Sequence, residues 1–381
     1  MSPRFDYDLT IVGASFTGLV AARTAAMRGL RVAVIEAKKE AGARVRTTGI
    51  LVKEAVEEID IPHELTRRIH GVRLYSPRLD HTDLFAPGYY FLSTNTADLL
   101  RWFARQAENC GVDFYYDSRF RDAVRIENGI QISGLNITTR YLIGADGAQS
   151  RVARCFGLGR VKHCLTGVEW EYAVPKNISP PYLHCFLDSQ LAPGYMGWVV
   201  PGPEFVQVGI AVKESCKPDL NNFVAKVDPL FKISHHEIVE KRAGRIPSSG
   251  LVKRFSCPNV MLIGDSAGMV SPLTGGGIRL AFRFGRRAAQ TISDYLLDRG
   301  PSPETVLSHE LPWFGAKSFM RKTLELSPPN FLLNNLLLRK PVIKLAQQVY
   351  FHRRGAGGVR FQDFQNEIER TQQPRIVNGE N

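Results

Sequence analysis

Apolar positions near the start of the chain follow two periods in turn. Leu9, Ile11 and Val12 form a short apolar run closed by Gly13, which predicts a buried strand, and Leu19 to Arg28 is dense in small and apolar residues, which predicts a helix. A second buried strand, Val32 to Ile35, ends on Glu36. Val52 to Ile59 reads as helix. Val72 to Tyr90, broken by Pro77 and Pro87, reads as edge strands. From Thr96 to Cys110 the residues Leu99, Leu100, Phe103 and Ala107 recur on one helical face, with Thr96 placed as the cap. Short strands follow at Gly111 to Tyr116 and Ala123 to Ile126. Between Val161 and Phe255 the period shortens: Val168–Tyr172, Tyr182–Leu187, Tyr195–Val200 and Phe205–Val212 read as strands. Turns at Pro180-Pro181, Pro193-Gly194 and Pro201–Pro203 separate them, which predicts a separate antiparallel sheet. Val260 to Ile263 is again a buried strand, followed by a helix to Leu297.

The order strand, glycine turn, helix, strand, acid gives the first segment a chemistry. In the turn Gly13-Ala-Ser-Phe-Thr-Gly18, Gly13 permits the sharp bend and Gly18 lets helix and strand approach. The free N–H groups around Phe16 and Thr17 open the helix toward a pyrophosphate, with a dipole equivalent to roughly +0.5 charge. Ser15 stands where a second glycine is usual, so its side chain must share space with the phosphates or donate its hydroxyl to them. Glu36 can accept from a ribose diol. Arg44 and Arg46, just beyond it, stand where a cation could meet a phosphate or simply line a solvated loop.

Two later segments share this character. Tyr141 to Arg154 reads as a strand ending in the turn Asp146-Gly147 before a helix, the place where open α/β sheets bind ligands, although Asp-Gly is also a common turn dipeptide. In the segment Val260 to Ile278, Gly264-Asp265 closes a strand, and Asp265 is an acceptor for sugar or ribityl hydroxyls. Gly275, Gly276 and Gly277 leave the N–H groups of the following helix open to an electron-rich ring edge, with Pro272-Leu-Thr274 bordering it.

Composition narrows the class. With 381 residues, 44% hydrophobic and 23% charged, the chain has the balance of a globular protein with a sizeable core. Six cysteines lie far apart, which suggests reduced thiols in a cytoplasmic protein. The first strand begins too early for a signal peptide, and no apolar run reaches the ~18 residues of a membrane span. His235-His236-Glu237 has metal-ligand types without a usable spacing, so no metal is expected. Lys and Arg number 49 against 37 Asp and Glu, a net +12. Between Leu311 and Arg354 the cations Lys317, Arg321, Lys322, Arg339, Lys340, Lys344, Arg353 and Arg354 accompany a single acid, Glu325, and several apolar clusters. This pattern fits an amphipathic segment on an anionic membrane surface, or helices packing one side on the core. No nucleic-acid motif accompanies the charge.

Taken together, the three segments resemble flavoproteins of the p-hydroxybenzoate hydroxylase fold, and within it the geranylgeranyl reductase family. The resemblance rests on Gly13, Ser15, Gly18 and Glu36, on Asp146-Gly147, and on Gly264-Asp265 with Pro272 to Gly277. Tyr195-Met-Gly-Trp-Val-Val-Pro201 is similar to a stretch of those reductases and makes Tyr195 and Trp198 the candidate substrate-facing residues. It implies an α/β fold with FAD as cofactor: Glu36 at the adenosine ribose, Asp265 at the ribityl chain and Gly276-Gly277 at the flavin pyrimidine edge. The expected organisation is a discontinuous FAD-binding domain (5–70, 92–160, 256–300), a substrate-binding β-sheet domain (71–91, 161–255) and a C-terminal helical region and tail (301–381). The expected activity is reduction of carbon–carbon double bonds of a prenyl or other apolar, lipid-like substrate by hydride from reduced flavin. Electrons would come from NAD(P)H or a reduced protein carrier. A flavin monooxygenase of aromatic or polyketide-like substrates, and a non-redox cyclase or scaffold, are the alternatives.

Overall fold

The computed structural model describes residues 5–57, 59–173 and 181–351. Pro180, Arg353, Arg354 and the tail to residue 381 lie outside them. The first layer is a mainly parallel sheet. Its central strand, Tyr7–Val12, pairs on one side with Val32–Ile35 and on the other with Ile137–Gly144, in the register Thr10 with Ala33 and with Leu142. Asp113–Tyr115 extends one side, and Val260–Leu262 with Ser256–Cys257 the other. The strands Val32–Ile35 and Val260–Leu262 and the Leu9–Val12 part of the central strand are buried on both faces, which is why their sequences are continuous apolar runs rather than alternating ones.

Helices Phe16–Met27, Thr96–Glu108 and Ile278–Leu296 pack together at that sheet. Phe16, Phe103 and Phe282, one from each, meet pairwise with ring centroids 5.6 to 5.9 Å apart. At Gly285 the last helix comes so close to the first that an added Cβ would stand 2.7 Å from the Thr17 carbonyl oxygen.

The second layer is a seven-stranded sheet in the order Ile238–Pro247, Cys164–Tyr172, Val206–Lys213, Gly197–Pro201, Tyr182–Phe186, Gly71–Tyr75, His81–Phe85. Every pairing is antiparallel except that of Tyr182–Phe186 with Gly71–Tyr75. Its outer face carries Val199, Val206, Val208, Ile210 and Val212, covered by Phe223, Val224 and Val227 of helix Leu220–Phe231. A small third sheet consists of Ile50–Val52, Phe91–Thr94 and Thr66–Ile69, and Gly71–Tyr75 and His81–Phe85 of the seven-stranded sheet fall within its span of chain. Four helices end the described chain, from Pro303–Glu310 to Lys340–Phe351. The last lays Ile343, Tyr350 and Phe351 against Val72, Leu183, Cys185 and Val200.

Several local expectations are corrected. Val52 to Ile59 is not one helix: a strand to Val52 gives way to the short helix Lys53–Val56. Asn95, not Thr96, caps the next helix, its side chain accepting the Asp98 N–H. Tyr195 lies in the turn before strand Gly197–Pro201. Gly71–Tyr75 is an interior strand, and only His81–Phe85 is an edge.

Replacing Gly285 by Ala gains about 1 kcal/mol of helix propensity but forces a methyl group against backbone. Urea unfolding should show a net loss of about 1–2 kcal/mol; a raised midpoint would contradict the close helix contact.

Candidate active site

The three glycine-rich segments converge through backbone contacts. Gly13, at φ +107°, lies so near the end of the neighbouring strand that a Cβ would stand 2.4 Å from the Ala145 carbonyl oxygen. A Cβ at Gly18 would stand 1.9 Å from the Gly13 carbonyl oxygen, and one at Gly264 2.5 Å from Thr17 Oγ1. Ser266 Oγ donates to the Gly144 carbonyl at 2.7 Å, joining the third segment to the second.

Around this junction the polar groups are arranged for a ligand. Helix Phe16–Met27 starts at Ser15 without a side-chain cap, and helix Ile278–Leu296 starts at Gly277 likewise, so both present uncapped N–H groups. Glu36 is buried and ties the turn down, Oε2 accepting the Ala14 N–H at 2.8 Å and Oε1 the Lys38 N–H at 3.0 Å. A carboxylate has about four lone-pair directions, so acceptor capacity remains for a ribose diol. Arg44 and Arg46 are exposed, and their charges help lower the Lys38 pKa, after the larger effect of burial. Asp146 Oδ2 accepts the N–H groups of Arg151 and Val152 at 2.6 and 3.2 Å, while Oδ1 is buried with no partner. Burial pushes that carboxyl up. Gly147, at φ +83°, has open space where a Cβ would be.

Asp265 reaches solvent, and desolvation by the protein around it pushes its carboxyl up to about 6. A Cβ at Gly277 would stand 3.6 Å from its Oδ1, and one at Gly276 would meet only Thr274 Oγ1, at 3.3 Å. Pro272 borders the same turn, close to Gly250. Two uncapped helix ends, the orphaned Asp146 oxygen and an open glycine edge fit a flavin dinucleotide. Among the described residues no group of His, Cys, Asp or Glu could hold a metal, and His235-His236 lie in a turn rather than a helix.

The opposing wall is the inner face of the seven-stranded sheet, and it is divided in two. At one end Leu165, Tyr195 and Ala211 are buried together with Met196 and Ile246 packed on them. This end touches the glycine turn: a Cβ at Gly275 would lie 2.9 Å from the Tyr195 hydroxyl and 3.4 Å from Ile246 Cγ2. Two strand positions on, register aligns Gly167 with Ala211 and Gly244; two further, Glu169 with Gly209 and Arg242; then Glu171 with Gln207 and Glu240. Trp198 covers Gly209, and its Nε1 donates to Glu169 Oε2 at 2.7 Å.

That second end is a buried charge cluster. Arg242 Nη1 lies 2.7 Å from Glu171 and Nη2 2.8 Å from Glu240. Gln207 Nε2 donates to the Thr48 carbonyl and to Glu171. Burial pushes the Glu171 carboxyl up to about 7, with Arg242 opposing, and also raises Glu169. Sequence reasoning missed this group. Its one signal was the alternation Glu169-Trp-Glu171, which places both acids on one face, but nothing in a single sequence aligns them with Arg242.

A family model described as an FAD binding domain matches residues 6–300. Digeranylgeranylglycerophospholipid reductase of Methanothrix thermoacetophila is 28% identical over 80% of this chain and 82% of its own. The enzyme of that name from Methanosarcina mazei is 30% identical over 74% of each chain. The crystal structure of a geranylgeranyl bacteriochlorophyll reductase-like protein from Thermoplasma acidophilum superposes with a TM-score of 0.78 at 22% identity, covering 91% of this chain and 97% of that one.

The buried acids set a pH dependence of stability. Glu171 titrates near 7 in the fold and near 4.3 when unfolded, so between those values the folded state holds more protons. Its contribution is therefore complete below about pH 4 and lost as pH rises through 7. Glu171→Gln should remove on the order of 2 kcal/mol of the stability decline between pH 5 and pH 8. Urea unfolding at both pH values checks this, and an unchanged slope would refute it.

Proposed function

Because the chain belongs to the FAD binding domain family and is an FAD-dependent oxidoreductase of the geranylgeranyl reductase type, we propose that it reduces the carbon–carbon double bonds of prenyl chains on a lipid-like substrate. The observation that carries this reading is the apolar end of the sheet, Leu165, Tyr195, Met196, Ala211 and Ile246, set against the Gly275 turn. An isolated alkene offers no charge to grip, so its placement depends on apolar shape and exclusion of water. Tyr195 and Trp198 would shape that wall.

Gly13, Ser15, Phe16, Thr17 and Gly18 would receive the FAD pyrophosphate, with Glu36 at the ribose and Arg44 and Arg46 alongside. Asp146-Gly147, Gly264-Asp265, Pro272 and Gly275 to Gly277 would border the ribityl chain and ring. Bound FAD, once reduced, supplies hydride; the chain supplies position and desolvation. Residues 5–70, 92–160 and 256–300 would form the cofactor unit, 71–91 and 161–255 the substrate unit.

A lipid-like substrate must be collected from a bilayer, and the C-terminal helices have the composition for it. Trp313, Phe319 and Leu326 are 83%, 73% and 80% exposed, and Phe331, Leu336 and Leu345 also face solvent. Lys322, Arg339, Lys340 and Lys344 are exposed among them. Arg321, in contrast, is only 2% exposed, its guanidinium 5.8 Å from the Tyr195 ring centroid, so it is no part of a solvated face. Among the described residues no helix is long and apolar enough to cross a membrane. We place these helices on the surface of an anionic bilayer.

Two experiments test these readings. Holoprotein reduced anaerobically should be reoxidised by digeranylgeranylglycerophospholipid in micelles, yielding a saturated chain; reoxidation by oxygen alone would favour a monooxygenase. With anionic vesicles, the full chain should sediment in a salt-sensitive manner, each basic residue contributing about 1 kcal/mol. Changing Lys322, Arg339, Lys340 and Lys344 to Gln should release most of it. Equal, salt-insensitive partitioning of both proteins would refute bilayer docking.

A further inference from the structure

The helix that carries Arg321 is seated on the molecule by a charge rather than by apolar packing. Gly315–Glu325 runs from the glycine turn to the end of the sheet. Phe314, just before it, comes within 3.9 Å of where a Cβ of Gly250 would stand, with Pro272 at 4.0 Å from the same point. Toward the other end, Arg321 Nη2 would lie 3.5 Å from a Cβ at Gly194, and its guanidinium is the one beside the Tyr195 ring. Between these contacts Lys317 is half-buried, and burial, helped by the Arg279 charge, pushes its ammonium down. The helix therefore spans the end of the wall that adjoins the Gly275 turn. Its single buried residue is Arg321. Among the described residues, none of its apolar side chains joins a buried hydrophobic cluster, and Phe319 faces solvent.

An element held in this way is held weakly. Arg321 Nη1 and Nη2 are buried and have no hydrogen-bond partner among the described residues. Nε donates to Glu325 Oε1 at 3.2 Å, but Glu325 is four residues on in the same helix, so that bond travels with the helix and fastens nothing. The bond to the sheet comes from Lys213 Nζ, which donates to the Glu325 carbonyl at 3.3 Å. A guanidinium stripped of water with most of its donors unused is costly, and an apolar side chain of similar volume would avoid that cost. The closed seat is thus a shallow minimum. Arg321 favours any arrangement in which its planar fork meets an anion, and phosphate is a group it can bind with two parallel bonds. Non-helical segments, 311–314 before the helix and 327–329 after it, leave a short rigid element between two joints.

We propose that helix Gly315–Glu325 is a cover over the Tyr195 end of the wall, closed in the free protein and drawn open when lipid phosphate takes the Arg321 guanidinium. This rests on the reductase and bilayer readings above. Closed, the cover keeps water from the apolar residues around Tyr195. Open, it bares them to a prenyl chain, while Phe319 and Lys322 on its exposed side meet the same lipid. The phosphate does not enter the closed site. It captures the open one, so the lipid acts by shifting a population toward a state the free protein already visits.

The test uses the full FAD-loaded chain. Arg321→Met keeps a long side chain and loses the charge, so it should seat the helix better, and amide hydrogen exchange across 315–325 should slow by about tenfold or more. Exchange that is unchanged or faster would overturn the proposal. Phosphatidylglycerol vesicles should speed exchange in the covered turn, 192–196, of the native protein and not of the variant. Dodecyl maltoside micelles, which carry no phosphate, should leave it alone; acceleration as large as with vesicles would overturn the proposal, because apolar contact would then suffice. Inorganic phosphate separates a lipid headgroup from a free anion. Acceleration by vesicles, with or without inorganic phosphate acting too, supports capture of the open cover, and acceleration by neither overturns it. In turnover, the variant should need about tenfold more digeranylgeranylglycerophospholipid for half-maximal reoxidation of the anaerobically reduced protein, since less of it is open. A native half-saturation value would overturn the cover and leave the reductase reading intact. A native enzyme that the lipid cannot reoxidise would overturn that reading, and the exchange measurements would still judge the cover.

Discussion

Backbone meets backbone where the three glycine-rich segments join, and the rest of the molecule is arranged to allow it. With the Gly13 bend held so that a Cβ would stand only 2.4 Å from the Ala145 carbonyl oxygen, two neighbouring parallel strands end side by side. The Gly18 contact then brings the first helix down onto its own turn. That approach fixes where uncapped N–H groups point, and Glu36 pins the turn through Ala14. A side chain at either glycine would displace the groups around this junction, because the strands that carry them are buried and cannot yield.

What was legible in the sequence follows from this local density. The first strand, turn, helix and acid lie within thirty residues of one another, so their relation is a matter of spacing, and the FAD assignment and the α/β class could be read directly. The seven-stranded sheet was visible as a set of strands but not as an order of strands, since pairing across long stretches leaves no trace in periodicity. Glu169 and Arg242 therefore looked like ordinary strand charges. Tyr195 was placed on a strand because its neighbours are apolar, whereas the turn at Pro193-Gly194 extends far enough to include it. Arg321 resembled its basic neighbours by composition, and only packing against Tyr195 sets it apart.

The two faces of that sheet do different work. The outer face is a conventional valine-rich core sealed by one helix. The inner face trades hydrophobic burial for a polar cluster that no comparably packed apolar residues would require, at a cost in stability that a purely structural wall would have no reason to bear. Such a trade is expected where a surface must do chemistry rather than merely fold.

The parallel pairing of Gly71–Tyr75 with Tyr182–Phe186 has a consequence for how the chain is made. The early strand leaves the ribosome long before its partner exists, and synthesis at about 5–20 residues per second leaves it waiting for roughly 5–20 s. During that interval it can pair only with His81–Phe85, Val72 opposite Leu84 and Leu74 opposite Thr82, while the edge that will meet Tyr182–Phe186 stays open. The nascent chain therefore carries a two-stranded hairpin with one unpaired edge, a natural point for a chaperone to hold it and for a premature truncation to aggregate.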